Sequence, residues 1–204
     1  MAGDGMRRKR TPLLIGVIGA LLLLAAGGRY VWGMLPARDP LCPDGLPQEY
    51  YIASGHNYID YQTGNECAAY AAAYVMRHLG AQITGPELYP ELHRVFGFVS
   101  VRQVAGLLER HGYHAAAYYG TLDTLKGRLA EGVPVIAFIR IPGDTHYTVV
   151  TGYDGQFLYL ADSIAALANA EGGWYNRRLR AEEFEDLWST DRYPMEFVYL
   201  AVTP

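Results

Sequence analysis

Apolar and polar positions divide this chain into segments of different period. From Cys67 to Leu79 the residues form a strongly apolar helical run. Asn65 before it predicts an N-cap and Gly80 a C-terminal stop, which makes Glu66 the first helical residue and Cys67 the second. Pro86 suits the first turn of a short helix, and Ser100-Val101-Arg102-Gln103 reads as a capping box opening a helix with Val101, Val104, Leu107 and Leu108 on one face. His111-Gly112 ends that helix, and Tyr113 to Tyr119 reads as a strand. Thr121 caps a further helix with Leu122, Leu125 and Leu129 on one side, stopped by Gly132. Val133 to Ile141 is a continuous apolar run, the pattern of a central strand buried on both faces. His146 to Gly152 and Gln156 to Asp162 are two strands around Asp154-Gly155. Ala181 to Trp188 reads as a helix and Met195 to Val202 as a last strand. Helices lead and antiparallel strands follow, which predicts an α+β domain with the Cys67 helix packed on a sheet.

The first 35 residues follow another pattern. Arg7-Arg8-Lys9-Arg10 precedes Leu13 to Gly28, 16 residues without a charge. A basic cluster before an apolar run is the pattern of a secretory signal or signal anchor. Its length is close to the ~20 residues of a membrane span, and Tyr30 and Trp32 extend it if Arg29 snorkels to the interface. Ala25-Ala26-Gly27-Gly28 also offers a cleavage site, so secretion after cleavage is the alternative to a retained anchor. In both cases the positive-inside rule places the remainder outside the cytoplasm. Pro36, Pro40, Pro43 and Pro47 then suggest a stiff linker. The expected organisation is therefore an N-terminal anchor over 1–35, a linker over 36–47 and one domain over 48–204.

Charge sharpens the choice of partner. Residues 1–41 hold six Lys+Arg and two Asp+Glu, leaving 11 basic and 19 acidic residues, or −8, for the rest. An acidic domain argues against nucleic acid. Two cysteines exclude a disulfide scaffold and permit at most one bridge, Cys42–Cys67. His111 and His114 straddle a helix end, and no paired metal-ligand spacing exists, so no metal or other cofactor is expected. A phosphate-binding glycine loop and a Gly-x-Ser-x-Gly motif are both missing.

The chemistry that remains centres on Cys67. A thiol at a helix start sits among unpaired backbone N–H groups and at the positive end of the dipole, which favours a thiolate and can hold an oxyanion. On its own, a cysteine in an apolar helix reads as a small core residue. A nucleophile needs a base, and the base needs a group that orients it. His146 opens one strand of the hairpin and Asp162 closes the other. A two-residue turn would pair residues whose numbers sum to 309 and turn Asp162 away from His146. A three-residue loop, Tyr153-Asp154-Gly155 with Gly155 left-handed, gives a sum of 308 and sets His146 opposite Asp162. The second register is the expected one.

Gln62 ahead of Cys67 at a helix start, then Thr-His-Tyr-Thr-Val-Val-Thr-Gly-Tyr-Asp from Thr145, then Tyr-Leu-Ala-Asp-Ser from Tyr159, resembles the C39-like branch of papain-like cysteine peptidases. The resemblance runs from about Tyr58 to Asp162. It implies a papain-like fold, Cys67 as nucleophile, His146 as general base and acid, Asp162 as orienting residue, and Gln62 as an oxyanion donor beside the Cys67 N–H. The chain departs from the common pattern at Cys67-Ala68, where many members have Cys-Gly, and in the shorter spacing from Gln62 to Cys67. The expected function is an extracytoplasmic thiol hydrolase acting on a peptide or amide bond. The alternatives are a peptidoglycan endopeptidase of the NlpC/P60 type and an inactive peptide-binding module of the same fold. The expected partners are a peptide or peptidoglycan-type substrate and, through the N-terminal segment, a membrane.

Overall fold

A computed structural model describes residues 15, 17, 18, 35–53, 55–92, 98–190 and 195–204. The chain divides into two units, 1–35 and 36–204. Of the first unit, Ile15, Val17 and Ile18 are helical, and the rest of the basic and apolar signal segment lies outside the described residues. Among the described residues no helix is long and apolar enough to cross a membrane.

The second unit is built on a sheet. Its strands are β1 (Ala37–Arg38), β2 (Tyr50–Tyr51), β3 (His114–Tyr119), β4 (Val135–Ile141), β5 (Asp144–Tyr153), β6 (Phe157–Ala161), β7 (Arg177–Arg180) and β8 (Val198–Thr203). Its helices are α1 (Cys67–His78), α2 (Gly85–Leu88), α3 (Val101–Arg110), α4 (Leu122–Ala130) and α5 (Ala181–Trp188). The strand order is β1-β3-β8-β4-β5-β6-β7, with β2 also on β5. All pairings are antiparallel except β1 with β3. β4 lies between β8 and β5, which explains its unbroken apolar run. The capping boxes of α3 at Ser100 and α4 at Thr121 form as their sequences predict. Gly80, just past α1, takes φ 97°, the left-handed conformation that ends a helix cheaply.

Two apolar cores result. One gathers α1 and α3 with Ile136, Phe138, Tyr147, Val149, Val198 and Leu200. The other gathers Leu125, Leu129, Phe184 and Trp188 with Val135, Ala137, Ile139, Val150, Leu158 and Leu160. The members alternate along β4 and β5, so the sheet is covered on both faces. In α1 the alanines 68, 69, 71, 72 and 73 are all buried, and their small size lets the helix lie close to its neighbours on nearly every side.

Residues 36–47 are not a free linker. β1 adds to the edge of β3, and Asp39 behind it is buried. Its carboxylate accepts from Arg128 Nη2 at 2.7 Å and Nε at 2.9 Å, from the Leu41 N–H, and from the Tyr199 hydroxyl. The prolines read as stiffness, but the β1–β3 pairing and the contacts of buried Asp39 dock the segment. The chain from 36 therefore packs with the domain expected to begin at 48.

Candidate active site

The helix start differs by one residue from the sequence expectation. Cys67 is the first residue of α1, Glu66 occupies the cap position, and no side chain caps the helix. Asn65 does not serve as N-cap. The Glu66 carboxylate instead turns back to accept from the N–H groups of Thr63 (3.1 Å) and Gly64 (3.3 Å), closing the loop ahead of the helix. The Glu66 carbonyl takes the N–H groups of Ala69 and Tyr70. Cys67 thus stands in the first turn, whose N–H groups have no partner further up the helix.

The hairpin reaches the expected face by a different register. Tyr153 pairs with Leu158, so the turn is centred further along the chain than the expected loop and the residue numbers sum to 311. Asp154 sets this turn: its Oδ1 accepts from the N–H groups of Gln156 and Phe157, both at 2.7 Å, and its own N–H donates to the Phe157 carbonyl. Gly155 is not left-handed, because the carboxylate stabilises the turn without it. An odd sum would place Asp162 on the face of Val149, away from His146. Between Val150 and Gly152 the register shifts by one residue, and Val149 then pairs with Ala161 at a sum of 310. This bulge restores even parity. Asp162 follows opposite Thr148, two residues from His146 and on the same face.

Both side chains are buried, and His146 Nε2 lies 2.9 Å from Asp162 Oδ1. The Cys67 thiol interacts with the same imidazole. Burial opposes a charge on the imidazole. The Asp162 hydrogen bond, and then Cys67, outweigh it and raise His146 from 6.5 to about 9. Asp162 moves down: burial would raise it, but His146, the Ile164 N–H and Arg177 hold the carboxylate ionised.

Gln62 is held on both sides. Its N–H donates to the Ser163 carbonyl (2.9 Å), its Oε1 accepts from Ser163 Oγ (2.6 Å), and its Nε2 donates to the Gly64 carbonyl (2.6 Å). The amide is therefore anchored to the residue after Asp162 and to the loop before Cys67. Cys42 is exposed and both cysteines are free, so the Cys42–Cys67 bridge does not form.

Three residues around Asp162 escaped the sequence reading. Thr148 Oγ1 lies 3.4 Å from Asp162 Oδ2. Asn176 accepts the Asp162 N–H and donates to its carbonyl, both at 2.8 Å. Arg177 Nη1 donates to Asp162 Oδ2 at 2.8 Å. Asn176 precedes β7 and Arg177 opens it, a strand absent from the sequence expectations. Its signal was the alternation in Arg177-Arg178-Leu179-Arg180, with positions 177 and 179 buried and 178 and 180 exposed. An arginine at an inward position disguised it.

No curated protein sequence matches this chain. Among solved structures, the peptidase domain of Streptococcus ComA, a bi-functional ABC transporter involved in quorum sensing, superposes with a TM-score of 0.60 at 16% identity, over 73% of this chain and 99% of that one. A putative C39-like peptidase from Bacillus anthracis gives 0.58 at 16%, over 76% and 97%. A double glycine motif protease from an AMS/PCAT transporter, solved with its leader peptide, gives 0.55 at 17%, over 76% and 97%. At such identities the likeness is one of fold. The sequence pattern of the Peptidase_C39 like family matches residues 50–194, a span that holds Gln62, Cys67, His146 and Asp162. This chain therefore belongs to the Peptidase_C39 like family.

Proposed function

We propose that this chain is an extracytoplasmic cysteine peptidase held at a membrane by its N-terminal segment, with Cys67, His146 and Asp162 as its reacting and orienting groups. The observation that carries the reading is the buried His146–Asp162 pair with the Cys67 thiol on the same ring. Nε2 is committed to Asp162, so Nδ1 exchanges the proton with sulfur. The Cys67 thiolate attacks the substrate carbonyl carbon, forming the C–S bond and an oxyanion. The N–H groups of the first turn of α1 and the Gln62 amide stabilise that oxyanion. His146 passes its proton to the leaving nitrogen as the C–N bond breaks. Water, deprotonated by His146, then releases the acid from the thioester.

A peptide substrate is supported by the family and by the fold neighbour solved with a leader peptide. Family membership favours this reading over an NlpC/P60 endopeptidase. The basic cluster and the apolar run after it support the location.

The test is Cys67→Ala in the full chain. It should abolish cleavage of a peptide library and labelling by an epoxide probe, with circular dichroism unchanged. Equal cleavage by the variant would refute the nucleophile, and activity on muropeptides alone would favour the NlpC/P60 alternative. Carbonate extraction of membranes tests the anchor, and release of the chain into the supernatant would count against it.

A further inference from the structure

The two oxygens of Asp162 serve two different cations. Oδ1 accepts from His146 Nε2 at 2.9 Å and from the Ile164 N–H at 2.9 Å. Oδ2 accepts from Arg177 Nη1 at 2.8 Å and lies 3.4 Å from Thr148 Oγ1. The Asp162 side chain is fully buried and that of Arg177 is 8% exposed. Arg177 occupies an inward position of β7, opposite Leu160 and two residues from the core residue Leu179. A charge placed there costs several kcal/mol unless it is paired. A carboxylate that only had to orient His146 would be satisfied on Oδ2 by any neutral donor. What Arg177 adds is its charge.

We propose that Arg177 is a positioning residue that sets the pH window of the Cys67–His146 couple by balancing the charge of Asp162. The proposal rests on the catalytic reading given above. With Arg177 present, thiolate, imidazolium, carboxylate and guanidinium sum to zero in one cluster, buried except for the half-buried Cys67. Without it the same cluster carries −1, and both Cys67 and His146 hold their protons more tightly. Among the described residues, the other titratable groups around the couple are Glu66 at the start of α1, Tyr147 beside His146, and Tyr61, whose hydroxyl lies 3.5 Å from Asn176 Nδ2. They are unchanged by a substitution at 177, so a difference between variants isolates Arg177.

The experiment uses the full chain in detergent with exposed Cys42 replaced (Cys42→Ser), and follows iodoacetamide alkylation of Cys67 and peptide cleavage from acid to alkaline pH. Arg177→Gln keeps a donor for Oδ2 and removes the charge. It should move both midpoints of the profile upward by about 1 pH unit. Arg177→Lys should return both toward their original positions. Midpoints that stay put or move downward in folded Arg177→Gln overturn the proposal and leave Arg177 an ion pair that only stabilises the fold. If Arg177→Gln does not fold, the unsubstituted protein decides by linkage. The guanidinium 15N resonances of Arg177 should then titrate with the same two midpoints, and flat resonances overturn the proposal. Cys67 reacting no faster at pH 6 than a free thiol, before any substitution at 177, would overturn the catalytic reading itself and this proposal with it.

Discussion

Asp162 concentrates the polar contacts of the site. Burying a carboxylate costs several kcal/mol, and partial compensation would leave it protonated. Its oxygens instead accept from His146, Ile164 and Arg177, while Asn176 clamps its backbone on both sides. The carboxylate is fixed in position and in charge, and through Nε2 it fixes the orientation of the His146 ring. Asp162→Asn should leave the substrate's KM within a few-fold and lower kcat by roughly 10³-fold, because an amide can no longer hold the imidazolium. Steady-state kinetics on the full chain check this, and a loss below tenfold would reject the orienting role. Gln62 is a different case. Its amide is oriented by Ser163 and Gly64, so its aim depends on a loop rather than on a strand.

At the scale of elements, the β5–β6 hairpin decides whether His146 and Asp162 meet. The turn built by Asp154 sets an odd register, and the bulge beyond Val150 corrects it. Gly152 sits where β2 crosses: a Cβ there would lie 2.8 Å from the Tyr50 carbonyl oxygen and 3.1 Å from the Tyr51 ring. Glycine therefore allows β2 to pair with β5 directly beside the bulge. Gly152→Val should cost about 1–3 kcal/mol through this overpacking, read as a lower denaturant midpoint at unchanged slope. A variant as stable as the parent would show that β2 contributes little there. Cys67 depends on element packing in the same way. Its place at the first residue of α1 follows from Glu66 bending back to the Thr63–Gly64 loop.

At the scale of the molecule, the site lies within a sheet covered on both faces, so its titrations are coupled to folding. His146 is raised from 6.5 to about 9, which means the folded state binds this proton more tightly than the unfolded one. Its contribution to stability is complete below about 6.5 and is lost as pH rises through about 9. Asp162 is lowered, so its contribution is present above the ordinary 3.8 and lost as pH falls below it. Thermal melts at constant ionic strength should show a plateau between these limits and a decline toward pH 9. His146→Gln should flatten the alkaline decline. An alkaline slope identical in both proteins would assign it to other groups. The Asp39–Arg128 pair belongs to the same scale, because it ties residues 36–41 to α4.

The sequence by itself determined the apolar elements and the candidate residues of the site. Burial periodicity and helix stops are local, so α3, α4, α5 and the central β4 could be read from spacing and from capping residues such as Ser100 and Thr121, and the end of α1 from Gly80. The order of Gln62, Cys67, His146 and Asp162 was equally legible, because it follows the pattern of the family the chain resembles. Contacts between distant residues were left to the tertiary structure. Asp39 looked like a linker residue until Arg128, 89 positions away, was beside it. Nothing local marks Arg177, and only the pairing of β7 with β6 turns it inward onto Asp162. The register of β5 and β6 was misjudged because Asp154 stabilises the turn by its side chain, and because a bulge two pairs further on reverses the parity. A pairing error of one residue changes which face a side chain occupies, and only the packed sheet, with β2 and β7 in place, selects the register that buries Asp162 against His146.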